Sequence, residues 1–303
     1  MEHLYRAYGL LVSSAIEIPE FLPAGAMEGA EPDVSIAFGS VPEALDPRDT
    51  EGILFQATDD AFIMHVEKVA GYQAVEGKRI LVEPRPDSSP GDVRVFLLGS
   101  VFGALLQQRG LLPLHAGAVE TSSGAILFAG PSGHGKSTLT AVFAARGHRV
   151  LCDDVCVLDV DGEGRATAWP SFPQIKLWTD SARLVGKDVT TLRRIRPTRE
   201  KYAVPVADGF NAEPLRVAAI YDLFPRATAG IVLEPLDGHE RFSSVVHNTY
   251  RRGFLGKRLR AHNFQMAAKI ASTVRIVRIK RPLFPLQTDE LVRLVEEDLA
   301  RNS

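Results

Sequence analysis

Gly130-Pro131-Ser132-Gly133-His134-Gly135-Lys136-Ser137-Thr138, GPSGHGKST, is the stretch from which the rest of the chain can be placed. Gly130, Gly135, Lys136 and Ser137 satisfy the spacing G-x-x-x-x-G-K-[ST], in which the backbone amides of a glycine-rich loop wrap a phosphate chain. The apolar run Ala125–Ala129 precedes the loop and suits a buried strand, and Lys136–Arg146 follows as a helix closed by Gly147. Strand, loop and helix in that order aim the free amides and positive end of the helix at an anion. Such a loop predicts nucleotide binding. Lys136 and the loop amides, those of Ser132, Gly133, His134 and Thr138 among them, would hold phosphates, with the Ser137 hydroxyl on Mg²⁺.

Composition bounds the class. With 303 residues, 45% hydrophobic and 24% charged, the chain reads as an ordinary globular protein with room for two domains. The balance of 35 Lys+Arg against 37 Asp+Glu, net −2, offers no basic field for nucleic acid. The longest apolar stretch, Val95–Leu106, is interrupted by Gly99, Ser100 and Gly103 and is too short to span a bilayer, so no membrane role is expected. The start, MEHLYRAYGLL, lacks the pattern of an export signal, and a cytoplasmic location is expected. Cys152 and Cys156 share parity on one expected strand and read as buried thiols rather than a disulfide or zinc set.

Residues 1–88 read as a β-rich lobe of short strands, including Leu4–Leu11, with an antiparallel meander in its second half. Pro84–Gly91 marks a boundary, and residues 89–303 form the second domain. There Asp92 is the expected cap of a core helix over Val93–Arg109. Leu112–Val119 and Ala125–Ala129 read as a hairpin, with His115 on its first strand near the phosphates. Arg149–Leu158 reads as one apolar strand interrupted by Asp153 and Asp154. Two adjacent carboxylates in such a strand call for a metal ion or a reacting hydroxyl, since unpaired buried charge is costly. Basic runs at Arg193–Lys201 and at Arg251, Arg252, Lys257, Arg258 and Arg260 are candidates for clamping phosphate or an acidic substrate. Val246–His262 and Asp289–Ala300 are the expected later helices.

Leu114–Asp159 resembles the catalytic domain of the HPr kinase/phosphorylase family. That family combines a histidine before the loop, a G-x-S-G-x-G-K-S loop, R-G-H after the helix and a D-D pair; here these stand as His115, Gly130–Ser137, Arg146–His148 and Asp153–Asp154. The resemblance implies an α/β fold, a phosphate-loop domain related to phosphoenolpyruvate carboxykinase behind a smaller β-rich domain. It also implies ATP- and Mg²⁺-dependent phosphorylation of a serine in a peptide or protein. By it Asp153 would be the general base, Asp154 with Ser137 would serve the metal, Lys136 the phosphates, and His115 the reacting group. Two departures, Thr138 in place of a glutamate and the glycine-free PSFPQIKLW at Pro170–Trp178, argue against a phosphorylase half-reaction and against HPr as substrate. Phe96–Val119 together with PQIKLW looks more like the HPr-kinase-related kinases of lasso-peptide precursors, which act on a terminal serine. The N-terminal lobe is then expected to recognise substrate or assemble a homo-oligomer. A carboxykinase-type small-molecule phosphotransferase and a non-catalytic nucleotide sensor are the alternatives.

Overall fold

A computed structural model describes residues 2–25, 29–196, 199–226, 228, 230–282 and 287–302, and mixes α-helices with two large β-sheets and one small one. Among the described residues the first sheet has nine strands, all between His3 and Pro84. The expected strand Leu4–Leu11 is instead a hairpin of His3–Ala7 and Leu10–Ser14, because Tyr8 and Gly9 both take positive φ and turn the chain in two residues. From Thr50 to Pro84 the strands follow one another as an antiparallel meander, whereas Val34–Phe38 joins its two neighbours in parallel.

Buried side chains of this sheet, such as Val12, Ile36 and Ile80, form one apolar cluster with Leu97, Phe102 and Leu105 of the helical stretch that follows. At about 1.5–3 kcal/mol for each fully buried side chain, that cluster ties sheet and helix together strongly. The helix begins earlier than the expected Asp92 cap. Ser89 Oγ accepts from the Asp92 N–H at 3.0 Å and Pro90 occupies the first turn. Its middle, Leu97–Val101, is a π-helical turn between α-helices Pro90–Phe96 and Phe102–Gln108, a form that often marks functional sites.

The second sheet centres on three parallel strands, Gly124–Ala129, Leu215–Pro225 and Arg275–Arg281. Ala116–Thr121 pairs with the first and Val150–Cys152 with Ala116–Thr121, both antiparallel. The parallel strands point their carboxyl ends toward the glycine loop, the edge at which open α/β sheets take ligands. Gly130 is required there: its φ is 143°, and a Cβ would lie 2.9 Å from the Leu223 carbonyl oxygen. Helix Lys136–Ala145 buries Leu139, Val142 and Phe143 against Ile126 and Phe128 of the sheet.

Two further expected strands and one expected helix are broken. Leu112–Leu114 pairs with Cys156–Leu158 while Ala116–Thr121 pairs with Gly124–Ala129, so His115 sits at a junction rather than on a strand. Val150–Cys152 and Cys156–Val160 are separate strands, which puts Cys152 and Cys156, both buried, on different elements. Val246–His262 resolves into the end of helix Gly238–Asn248, a turn at Arg252–Phe254, and the start of helix Lys257–Thr273. A third sheet of Gln174–Trp178, Arg199–Pro205 and Arg193–Arg196 carries the first basic run, whose Pro197 and Thr198 lie outside the described residues. Among the described residues no helix is long and apolar enough to cross a membrane.

Candidate active site

The glycine loop converges on Lys136. Gly133 and Gly135 take φ of 84° and 90°, a region glycine enters without strain, and Gly135 begins the helix. The Lys136 ammonium donates to the carbonyls of Gly130 at 2.7 Å and Pro131 at 3.0 Å. Only 6% exposed, it is lowered by burial to a pKa of about 8, partly offset by Asp154 and Asp153. Ser132 lines the adjoining cavity, His134 Nδ1 lies 3.3 Å from the Leu223 carbonyl, and Thr138 Oγ1 lies 2.7 Å from Ser181 Oγ.

The two aspartates occupy the gap between strands Val150–Cys152 and Cys156–Val160, and Asp154 takes a left-handed φ of 73°. Such a conformation in a non-glycine residue turns the two side chains to different surroundings. Asp153 is 3% exposed, and its Oδ2 accepts the Lys176 N–H at 2.7 Å. The Ser137 hydroxyl faces its carboxylate, yet Oδ1 is buried with no well-directed donor. Burial, and then the charge of Asp154, push the Asp153 carboxyl above its ordinary range.

Asp154 faces a cavity of about 580 Å³. Lys176 Nζ lies 3.0 Å from its Oδ2, and His115 Nδ1 lies 3.4 Å from its Oδ1 and 3.0 Å from its backbone oxygen. Burial would raise this carboxyl, but Lys176, Lys201 and His115 together outweigh it and hold the group ionised. His115 is pulled below its ordinary pKa by burial and then by Lys136, so it is neutral at pH 7. Its Nδ1 proton faces the Asp154 carbonyl, and Nε2 is left as an acceptor.

Lys176 is the residue that sequence reasoning missed. It alternates with buried Ile175 and Leu177 on strand Gln174–Trp178, a pattern that reads as a solvated face. Its partner Asp154 stands 22 residues away, and nothing local signals the pairing. Of the second basic cluster only Arg251 lines the cavity. Arg258 pairs with Asp60 at 2.7 Å and Arg260 donates to the Leu255 carbonyl. Of the first run, Ile195, Arg196 and Lys201 reach the cavity, while Arg193 pairs with Glu20 at 2.8 Å.

No family model matches the sequence, and no curated protein matches it. Among solved structures the chain is similar to the Hpr(Ser) kinase/phosphatase from Coxiella burnetii, with a TM-score of 0.33 and 16% identity over 63% of this chain and 88% of that one. The chemistry of the site therefore rests on the residues just described. They bring together a cationic glycine loop, one carboxylate against its serine, and a second carboxylate opening on an anion-attracting cavity.

Proposed function

We propose that the protein is an ATP-dependent kinase that transfers the γ-phosphate to a serine hydroxyl of a peptide or protein. The observation that carries this reading is the division of the aspartate pair, with Asp153 against Ser137 and Asp154 in the cavity. Phosphoryl transfer calls for phosphates held in line, charge neutralised, and an acceptor hydroxyl oriented beside them. Lys136 and the loop amides suit the first need. The donor set at Ser137 and Asp153 suits Mg²⁺, because Asp153 Oδ1 is a buried oxygen in want of a partner. When bound, Mg²⁺ would neutralise charge on the transferring group.

In this reading Asp154 orients the acceptor hydroxyl and takes its proton, Lys176 keeps that carboxylate ionised and in place, and His115 Nε2 accepts a hydrogen bond beside it. The resemblance divides the aspartates the other way, with Asp153 as base and Asp154 on the metal. We favour the exchange because Asp154 lines the cavity, with one oxygen on the Lys176 ammonium and the other near the neutral His115 ring, whereas Asp153 is enclosed next to Ser137. The division into residues 1–88 and 89–303, with the first part recognising substrate or assembling a homo-oligomer, belongs to the same proposal. So does a cytoplasmic location. A terminal serine of a precursor peptide is its narrowest form.

Transfer of labelled γ-phosphate to serine peptides with Mg·ATP tests it. Asp154→Asn is expected to lower transfer roughly 100-fold or more while sparing nucleotide binding, and Asp153→Asn to raise the Mg²⁺ requirement. The reverse pattern returns the roles to the division that the resemblance implies. Turnover of a small hydroxy acid but no peptide would indicate a carboxykinase-type phosphotransferase, and tight nucleotide binding without any transfer would indicate a sensor.

A further inference from the structure

The cavity wall carries Lys176, Arg196, Lys201 and Arg251 against one carboxylate, Asp154. Two of these cations meet a carboxylate and a third lies at an aromatic ring. Lys176 holds Asp154, Arg196 lies over the Phe96 ring and 3.9 Å from Asp92, and Lys201 lies 6.0 Å from the Trp178 ring centre. Arg251 has no carboxylate partner among the described residues, and its guanidinium lies over the rings of Tyr250 and Phe254 at 5.6 and 5.7 Å. It is also held at φ 51°, in the left-handed region that an arginine avoids.

That strained backbone is fixed from both sides. The Tyr250 N–H donates to the Pro113 carbonyl at 2.8 Å, and the Tyr250 carbonyl accepts from Gln107 Nε2 at 2.8 Å. The Phe254 N–H donates to the Arg251 carbonyl, and the Phe254 ring packs 4.4 and 4.7 Å from those of Phe55 and Phe62 of the first sheet. A backbone outlier over-determined by its surroundings, bearing on a cavity wall an exposed guanidinium tied to the Tyr250 hydroxyl and to no carboxylate among the described residues, is suited to receive an oxyanion. Its place gives the side of the cavity. The Tyr250 ring lies 5.8 Å from that of His115, and His115 touches Asp154, so Arg251 is joined to the acceptor side rather than to the loop.

We infer that Arg251 is a specificity residue that receives an oxyanion of the acceptor, a carboxylate close to the hydroxyl that takes the phosphate. The inference rests on the kinase reading for the word acceptor, but its site can be tested without turnover. Two short serine peptides, one with glutamates and one with glutamines beside the serine, serve as probes. They are titrated calorimetrically into the full chain with ADP and Mg²⁺ present. The glutamate peptide is expected to bind about tenfold tighter, and Arg251→Gln to erase the difference while leaving ADP affinity unchanged. Arg251→Lys should keep part of it, as a point charge without the planar fork. Arg251→Gly, which suits the left-handed backbone, should melt no lower than Arg251→Gln and still lose the discrimination.

Equal binding of the two peptides by the native chain, or binding of neither, overturns the assignment. So does a loss of ADP affinity in Arg251→Gln, which would place the guanidinium on a nucleotide phosphate. A shared loss of melting temperature and ADP binding in all three variants would mark a structural role and overturn it as well. If the expected binding pattern holds but no labelled phosphate reaches either peptide, the kinase reading falls and the oxyanion site stands.

Discussion

The ammonium of Lys176 lies 3.0 Å from Oδ2 of Asp154, and the backbone N–H of the same residue donates to Oδ2 of Asp153 at 2.7 Å. One strand residue thus holds both carboxylates of the site. Replacing it with methionine keeps the backbone tie to Asp153 and removes the cation from Asp154. The two side chains are 15% and 23% exposed, so solvent screens part of the pair and the loss should fall below that of a fully buried one. Lys176→Met is expected to cost about 1–3 kcal/mol in denaturant unfolding. Lys176→Met combined with Asp154→Asn should cost less than the sum of the two, since the pair no longer leaves a charge unmatched.

Gly117 sets the distance between the sheet and the loop helix. A Cβ there would lie 2.2 Å from Thr140 Oγ1, which is held by its bond to the Lys136 carbonyl, and 3.4 Å from Asp153 Oδ1. Gly117→Ala is expected to destabilise by about 1–3 kcal/mol, as overpacking does. Because the helix it displaces begins at Lys136, nucleotide affinity should fall as well. Calorimetric titration with ADP and Mg²⁺ checks this, and unchanged affinity would count against a rigid coupling of Gly117 to the loop.

Asp59, in the turn between strands Phe55–Ala57 and Ala61–Val66 of the first sheet, caps a helix almost two hundred residues later. Its two oxygens accept from the backbone N–H groups of Arg258 at 3.1 Å and Leu259 at 2.9 Å, the first turn of helix Lys257–Thr273. The cap lies just beyond the segment Tyr250–Phe254 that borders the cavity. Asp59→Ala is expected to lower stability by about 0.5–2 kcal/mol, and Asp59→Asn by less, in thermal unfolding.

Lys136 makes stability depend on pH. Its pKa falls from 10.5 to about 8 on folding, so between those values the unfolded chain binds the proton that the folded chain has lost. Stability therefore rises with pH across that window, and the cost of burying the charged form is fully present below it. Without nucleotide, the native chain should gain up to about 2 kcal/mol relative to Lys136→Met between pH 8 and pH 10. Melting curves of the two proteins across that range, showing no convergence or divergence, would contradict the buried ammonium.

Much of the local structure was legible in the residues. The strand Gly124–Ala129, the turn of glycines and the helix from Lys136 follow from an apolar run, positive-φ glycines and helical periodicity, all of which act within a few residues. The meander from Thr50 to Pro84 was readable for the same reason. The breaks were not. His115 and Asp154 stand where the chain leaves one strand partner for another, and that choice is made by distant pairings such as Leu114 with Cys156. A continuous apolar run carries no mark of where its partner changes.

The sequence by itself determined that a glycine-rich loop stands between a buried strand and a helix, because backbone preferences and side-chain period are properties of neighbouring residues. Only the tertiary structure decided that Asp153 turns toward Ser137 while Asp154 turns to the cavity, and that Lys176 joins them. It also placed Arg251 on the cavity wall with its backbone pinned by the first sheet. Charge separation and desolvation depend on distances between segments remote in the chain, and those distances exist only once the sheets and helices have packed.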